Sequence, residues 1–206
     1  MTSKRSLDIA KNTGFVSLGF MLTIKPAMAH HAIAGRTPAN FWEGFLSGLA
    51  HPVVGLDHLA FVVAIGLIAA AISSGAFIPA AFLLAAMVGT GIHVLSIDLP
   101  AAEIVIAASV IALGGMLALE KHPNFTAMVV LATIAGLFHG YAYGEAIVGA
   151  EMTPLVAYLA GFTFVQYAIA MLALGIGIAL NKPSIRFSGS AICLLGVFFL
   201  AGSIVD

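Results

Sequence analysis

Charged residues are scarce in this 206-residue chain: only 8% of the positions are Asp, Glu, Lys or Arg, whereas 61% are hydrophobic. Soluble domains carry about 25% charged residues, so the composition excludes a water-soluble globular protein. With eight basic residues in all, the chain also lacks the basic surface that binds nucleic acid. The sequence therefore predicts an integral membrane protein whose surroundings are the lipid bilayer.

Cysteine is nearly absent too, and its scarcity excludes two further classes. The single Cys193 lies in an apolar segment, which rules out a disulfide framework and a cysteine-based zinc site. No lysine follows a glycine anywhere, so the motif G-x-x-x-x-G-K-[ST] is missing and the chain does not hydrolyse ATP through a P-loop. If it transports a solute, the membrane potential, an ion gradient or trapping inside the cell must drive the movement.

The N-terminus has the layout of a secretory signal peptide. Three basic residues precede an apolar stretch at 14–24, and Ala27-Met28-Ala29 supplies a small-residue cleavage site. An uncleaved first helix is the alternative, but the stretch is short for a span of about 20 residues. We therefore predict a signal peptide at residues 1–29 and a mature membrane domain at residues 30–206.

Apolar runs long enough to cross the bilayer follow one another through the mature chain, each bounded by proline, glycine or charge. The six runs are 52–73, 76–97, 101–119, 125–148, 154–180 and 184–204. Lys121 lies in the third loop between the runs and Lys182 in the fifth, whereas the second and fourth carry Asp98 and Glu151. The positive-inside rule places the third and fifth loops in the cytoplasm. The prediction is an all-α protein of the bacterial plasma (inner) membrane, with six transmembrane helices and both mature termini on the periplasmic side.

The first run opens with a set of metal-capable side chains: His51, Asp57 and His58. An ionisable side chain near the centre of a membrane helix costs about 2.5–3.5 kcal/mol on insertion scales, so such residues mark a functional site by default. His51 and His58 are seven positions apart, which puts their Cα atoms about 10 Å apart on one ideal helix. One straight helix can hardly bring both to the same ion.

Pro52 suggests where the helix breaks, because proline disfavours helical backbone at the residue before it. Residues 40–50 then form a short interfacial or re-entrant helix capped by Asn40, and His51 lies at the rim of a cavity.

A second motif lies in the outer half of the fourth run. Gly136, Gly140 and Gly144 repeat at four-residue spacing, which allows the backbone of another helix to approach closely. His139 and Tyr143 lie one residue before two of these glycines, on the flank of the contact. Counting residues inward from the outer surface puts one set of side chains at comparable depth: Asp57, His58, His93, His139 and Glu145.

Two motifs together resemble the HupE/UreJ family of small membrane proteins. They are His51-Pro52-x-x-Gly55-x-Asp57-His58 and the segment Phe138-His139-Gly140-Tyr141-Ala142-Tyr143-Gly144. The resemblance covers essentially the whole chain and implies a secondary permease for nickel, with cobalt as the alternative, that supplies metal to hydrogenase, urease or cobalamin synthesis. The family's second motif commonly reads Phe-His-Gly-x-Ala-His-Gly-x-Glu. Here Tyr143 replaces its second histidine and Ala146 its glutamate, with Glu145 next to it.

Imidazole and carboxylate ligands without thiolate suit a borderline divalent ion such as Ni²⁺ or Co²⁺, bound as the transported substrate and not as a permanent cofactor. We predict His58, Asp57 and His139 as the central site, His51 as the outer gate, and His93 and Glu145 as additional ligands. Two other classes fit similar residues. An intramembrane zinc-dependent hydrolase would bind zinc tightly and turn over a substrate, and a membrane cytochrome would bind haem between facing histidines.

Overall fold

The computed structural model describes residues 36–205, and in that range the protein is all-α, as the composition predicts. The described residues form seven α-helices: α1 (Phe41–Val54), α2 (Leu56–Ala69), α3 (Phe77–Val94), α4 (Ala102–Ala118), α5 (Phe125–Gly144), α6 (Met152–Ala179) and α7 (Lys182–Val205). A short 3-10 helix, Glu145–Ile147, continues α5. The predicted signal peptide, residues 1–29, lies outside the described residues.

The helices are those of a multi-pass membrane protein. Between residues 36 and 205, four stretches are long and apolar enough to cross a bilayer: α3, α5 with its 3-10 extension, α6 and α7. The pair α1 and α2 passes the same test only together, as a broken span or re-entrant loop bent by 78°. Helix α4 has 17 residues, at the lower end of the range of about 17–25 for a span. The number of six spans therefore stays a prediction.

Helix α1 begins where the sequence predicts and ends later. The Asn40 side chain accepts a hydrogen bond from the Glu43 backbone N–H at 3.0 Å, so the predicted N-cap is confirmed. The helix then continues through His51 and Pro52 to Val54. The expectation that Pro52 takes His51 out of the helix was wrong, and the break lies at Gly55 instead.

Close packing explains why α1 continues past its proline. A Cβ atom at Gly44 or Gly48 would overlap the α6 backbone at Pro154 or Tyr158, so α1 lies directly on α6. Proline disfavours helix at the preceding residue but does not forbid it. The contact with α6 holds the backbone helical until Gly55, whose N–H still bonds to the His51 carbonyl at 3.0 Å.

Two further pairs of helices pack through glycine. On α5 the predicted face of Gly136, Gly140 and Gly144 is confirmed as a packing surface against α3, where added Cβ atoms would meet Phe82, Ala86 and His93. Helices α4 and α7 use the same device: a Cβ atom at Gly114 would overlap the Cys193 backbone. Small residues let helix backbones approach in a membrane, where lipid is as apolar as leucine.

The third and fifth loops meet at one end of the bundle. Glu120 lies 3.5 Å from the Lys182 ammonium and 4.0 Å from the Arg186 guanidinium. The basic residues on which the topology prediction depends therefore lie at one end, and α4 and α7 run antiparallel from there. The opposite end holds the start of α4 and the end of α5, next to the histidines.

Candidate metal site

The two sequence motifs meet inside the bundle through His58 of α2 and His139 of α5. Both side chains are completely buried, and their Nδ1 atoms are 2.9 Å apart. The ring centroids are 5.0 Å apart in an edge-to-face arrangement. Two imidazoles on different helices thus turn the same nitrogen toward each other in the protein interior.

The bend at Gly55 puts His58 in this position. A Cβ atom at residue 55 would lie 2.7 Å from Cδ2 of the His58 ring, so glycine leaves the space that the imidazole occupies. Immediately after the bend, Oδ1 of the buried Asp57 accepts a hydrogen bond from the His58 N–H at 2.9 Å. A carboxylate is favourable here because the first turn of a helix exposes unpaired N–H groups.

The same bend brings His51 toward His58. Their ring centroids are 6.0 Å apart, although one straight helix would separate the two residues by two turns. His51 is buried, and its Nδ1 lies 3.1 Å from the Tyr158 hydroxyl of α6. The prediction that a helix break lets these two histidines approach each other is confirmed. Its predicted place, before Pro52, was wrong.

Tyr143, which replaces the second histidine of the family motif, lies between the rings. Its centroid is 4.5 Å from that of His58 and 5.2 Å from that of His51. Its hydroxyl donates to Oε1 of Gln166 at 2.8 Å, and the Gln166 amide donates in turn to the Phe162 carbonyl at 3.2 Å. The phenol therefore packs against the imidazoles while its polar end bonds to α6.

Asp57 also borders a cavity of about 60 Å³ at the end of the bundle where α4 begins. Glu103 and the exposed Glu145 line the same cavity. Glu145 thus shares this cavity with Asp57. Its neighbour Ala146, at the position of the family's glutamate, is buried.

His93, predicted as a possible additional ligand, lies near the end of α3. Its ring packs on the Tyr141 ring at a centroid distance of 4.4 Å, and Gly144 lies against its Cβ. The Tyr141 hydroxyl donates to Asp98 at 3.1 Å. His93 thus belongs to an aromatic contact at the same end of the bundle as the acidic cavity.

Within residues 36–205 no three side chains of the His, Cys, Asp and Glu types lie close enough together to hold a metal ion. The arrangement is a pair of nitrogen donors with Asp57 and His51 nearby. Such a pair can bind a divalent ion weakly, with water or a shifted side chain completing the coordination. Incomplete ligation suits a site that must release its ion again.

Three polar residues around the histidines are absent from the sequence-based prediction: Ser109, Tyr158 and Gln166. Ser109 contacts Nε2 of His139 at 3.0 Å. Each of the three lies within an otherwise apolar run, where a polar side chain needs a partner. A polar side chain inside an apolar run is therefore the signal in the sequence that marks these three residues.

Comparisons with known proteins settle the family. The chain matches the family described as HupE / UreJ protein over residues 18–199. It belongs to the HupE/UreJ family. Over 189 residues it is 33% identical to Protein HupE of Rhizobium leguminosarum bv. viciae, an alignment that covers 87% of this chain and 96% of that protein. No solved structure matches the chain.

Membership in the HupE/UreJ family confirms the resemblance carried by the two motifs. Proteins of this family are permease-type membrane proteins with a role in nickel or cobalt transport. This chain departs from the family motif at two positions, and both side chains have a place in the structure. Tyr143 bonds to Gln166, and Ala146 is buried.

Proposed function

We propose that this protein is a secondary permease that moves Ni²⁺, with Co²⁺ as the alternative, across the bacterial plasma membrane. The observation that carries the proposal is the buried His58–His139 pair, with its two Nδ1 atoms 2.9 Å apart beside a broken helix. Discontinuous helices that end at membrane depth are a common way for secondary transporters to build an ion site.

An acidic path leads to this pair. Glu103, Glu145 and Asp57 line one cavity, and Asp57 is also bonded to the backbone of His58. Carboxylates at the entrance attract a divalent cation and offset its lost hydration. We infer that the ion enters through this cavity, passes Asp57 and reaches the two imidazoles.

The kinds of ligand bear on which ion is carried. Imidazole nitrogen and carboxylate oxygen without thiolate suit a borderline divalent ion such as Ni²⁺ or Co²⁺. The two Nδ1 atoms lie 2.9 Å apart, which leaves no room for a porphyrin between the rings.

The comparisons add the physiological setting to this proposal. The similarity to HupE supports a role in supplying nickel to hydrogenase, and the family's other name connects it equally to urease. Family membership does not favour the intramembrane zinc hydrolase considered from the sequence.

Uptake of radioactive nickel by cells without another high-affinity nickel system tests the proposal. We expect His58→Ala and His139→Ala each to lower initial uptake by about tenfold or more, because each removes one of two buried donors. Asp57→Asn should lower it less. His122→Ala is the matched control, since this exposed histidine contacts the carbonyl of the neighbouring Pro123 and should leave uptake unchanged.

Competition by unlabelled cobalt and zinc in the same assay ranks the ions, and zinc should compete least. Full uptake by all three site variants, at matched protein levels in the membrane, would contradict the proposed path. Uptake into liposomes that hold only the purified protein and no ATP separates a secondary permease from a component of a pump.

A further inference from the structure

The Ser109 hydroxyl of α4 touches two polar atoms, and only one of them can receive its hydrogen. Its Oγ lies 2.6 Å from the Ile106 carbonyl oxygen and 3.0 Å from Nε2 of His139. A carbonyl oxygen only accepts, and two oxygens at 2.6 Å need a hydrogen between them. Ser109 therefore donates to Ile106, and its oxygen accepts the Nε2–H of His139.

This assignment fixes the proton on the His139 ring. A neutral imidazole that carries its hydrogen on Nε2 has its lone pair on Nδ1. That Nδ1 faces Nδ1 of His58 at 2.9 Å, and two lone pairs do not face each other at such a distance. His58 therefore supplies the hydrogen, and the donors run in one direction from His58 through His139 and Ser109 to the Ile106 carbonyl.

Tyr158 of α6 does the same for His51. Its hydroxyl donates to the Tyr143 carbonyl at 2.9 Å, so its oxygen accepts from Nδ1 of His51 at 3.1 Å. His51 then carries its hydrogen on Nδ1 and its lone pair on Nε2. Two hydroxyls on different helices thus use a backbone carbonyl to direct their own hydrogen away from an imidazole.

We propose that Ser109 and Tyr158 are positioning residues that hold His139 and His51 in fixed tautomers. The transported ion binds Nδ1 of His139, where it takes the place of the hydrogen that His58 donates, and Nε2 of His51. The proposal rests on the proposed function, because it concerns the same site. A ligating histidine usually donates its other ring hydrogen to a neighbouring acceptor, which orients the ring and raises the basicity of the ligating nitrogen. Carboxylates, carbonyls and water are the usual acceptors, and here hydroxyls take that role.

The first measurement is the ring-nitrogen NMR spectrum of protein labelled with ¹⁵N-histidine and purified without metal. The His139 signals are identified by their loss in His139→Asn. We expect wild type to show His139 with Nε2 protonated and Nδ1 unprotonated. Ser109→Ala should populate both tautomers, whereas Ser109→Thr, which keeps the hydroxyl, should restore the single form.

Nickel titration of the same samples measures the effect on binding. Removal of such an orienting contact lowers metal affinity by about 10–100-fold, so Ser109→Ala should bind nickel that much more weakly and Ser109→Thr close to wild type. Ser190→Ala is the matched control, since its exposed hydroxyl donates to the Arg186 carbonyl within its own helix. Thermal unfolding of each variant checks that the protein is folded.

Tyr158→Phe tests the second hydroxyl, with Tyr167→Phe on the same helix as its control. The His51 ring should lose its single tautomer only in Tyr158→Phe. An unchanged His139 tautomer and unchanged nickel affinity in folded Ser109→Ala would overturn the proposal. Absence of nickel binding by wild type would instead overturn the proposed function, and the NMR spectra would still decide whether the hydroxyls fix the tautomers.

Discussion

Two helix pairs in this bundle are packed by the same device and contain different chemistry. In the α3–α5 pair Gly140 lies against the Ala86 backbone, and in the α4–α7 pair Gly114 lies against the Cys193 backbone. The interface of α3 and α5 also includes the Thr90 hydroxyl, which lies 2.8 Å from the Gly140 carbonyl and 3.1 Å from that of Ala86. His139 directly precedes Gly140 in α5 and lies on the flank of this contact.

Between α4 and α7, in the part of the chain that the structure describes, no hydrogen bond of a side chain joins the two helices. Helix α4 contributes two polar side chains: Glu103 in its first turn lines the acidic cavity, and Ser109 bonds to His139 of α5 rather than to α7. Glycine spacing therefore reports only that two helices pack closely. Buried polar groups, and the contacts that satisfy them, distinguish the interface with a function.

Adding one methyl group to each helix pair should give the largest difference between them in nickel uptake. Gly140→Ala and Gly114→Ala both force a Cβ into opposing backbone, and overpacking of this kind costs about 1–3 kcal/mol. We expect similar losses of thermal stability. Nickel uptake per folded molecule should fall only in Gly140→Ala, because that change displaces His139.

Equal uptake per folded molecule in the two variants would show that the contact between α3 and α5 has a structural role only. The measurement combines uptake in cells with the amount of folded protein from size-exclusion chromatography.

A smaller effect is expected at the bend. Gly55→Ala puts a Cβ atom against the His58 ring, 2.7 Å from its Cδ2. The ring must shift from His139, and nickel affinity should fall by about tenfold, the scale of a lost orienting contact. Gly175→Ala is the control, because a Cβ atom there has no neighbour within 4 Å. Wild-type nickel affinity in Gly55→Ala would mean that the glycine is not needed to seat His58.

The smallest effect should come from Thr90. Thr90→Val keeps the shape of the side chain and removes its bond to the Gly140 carbonyl. Side-chain hydrogen bonds between membrane helices contribute about 0.6 kcal/mol on average, so the stability loss should be near that value, with uptake almost unchanged. Thr133→Val removes a bond within one helix and is the control. A loss above about 2 kcal/mol would mean that Thr90, and not the glycine contact, holds the pair together.

Most of the helical architecture could be predicted from apolar runs and their boundaries. The fourth run was placed at 125–148, and helix Phe125–Gly144 with its extension to Ile147 occupies it. The sixth was placed at 184–204 and is found as Lys182–Val205. The sequence also predicted that His58 and His139 lie at comparable depth, because the loop charges indicate the direction of each span, and in the structure the two rings are in contact.

The bend and the hydroxyl contacts could not be predicted in the same way. Gly55 has φ −74° and ψ 98°, a conformation open to any residue, so no local pattern marks it. The reason for glycine there is the ring of His58, a contact made only once the bend exists. Ser109 contacts His139 because α4 is rotated about its own axis so that this side chain faces α5. The packing of α4 against α5 and α7 sets that rotation, and the sequence of one apolar run does not reveal it.

The small volume of the acidic cavity also bears on the water that an ion carries. A cavity of about 60 Å³ has room for about four to six water molecules, at about 10–15 Å³ for each. On the proposed path, an ion with its hydration shell competes with that water for the space between the carboxylates. An ion that exchanges part of its shell for the oxygens of Glu103 and Glu145 needs less of this volume, so the cavity favours ions that release water over ions that keep it.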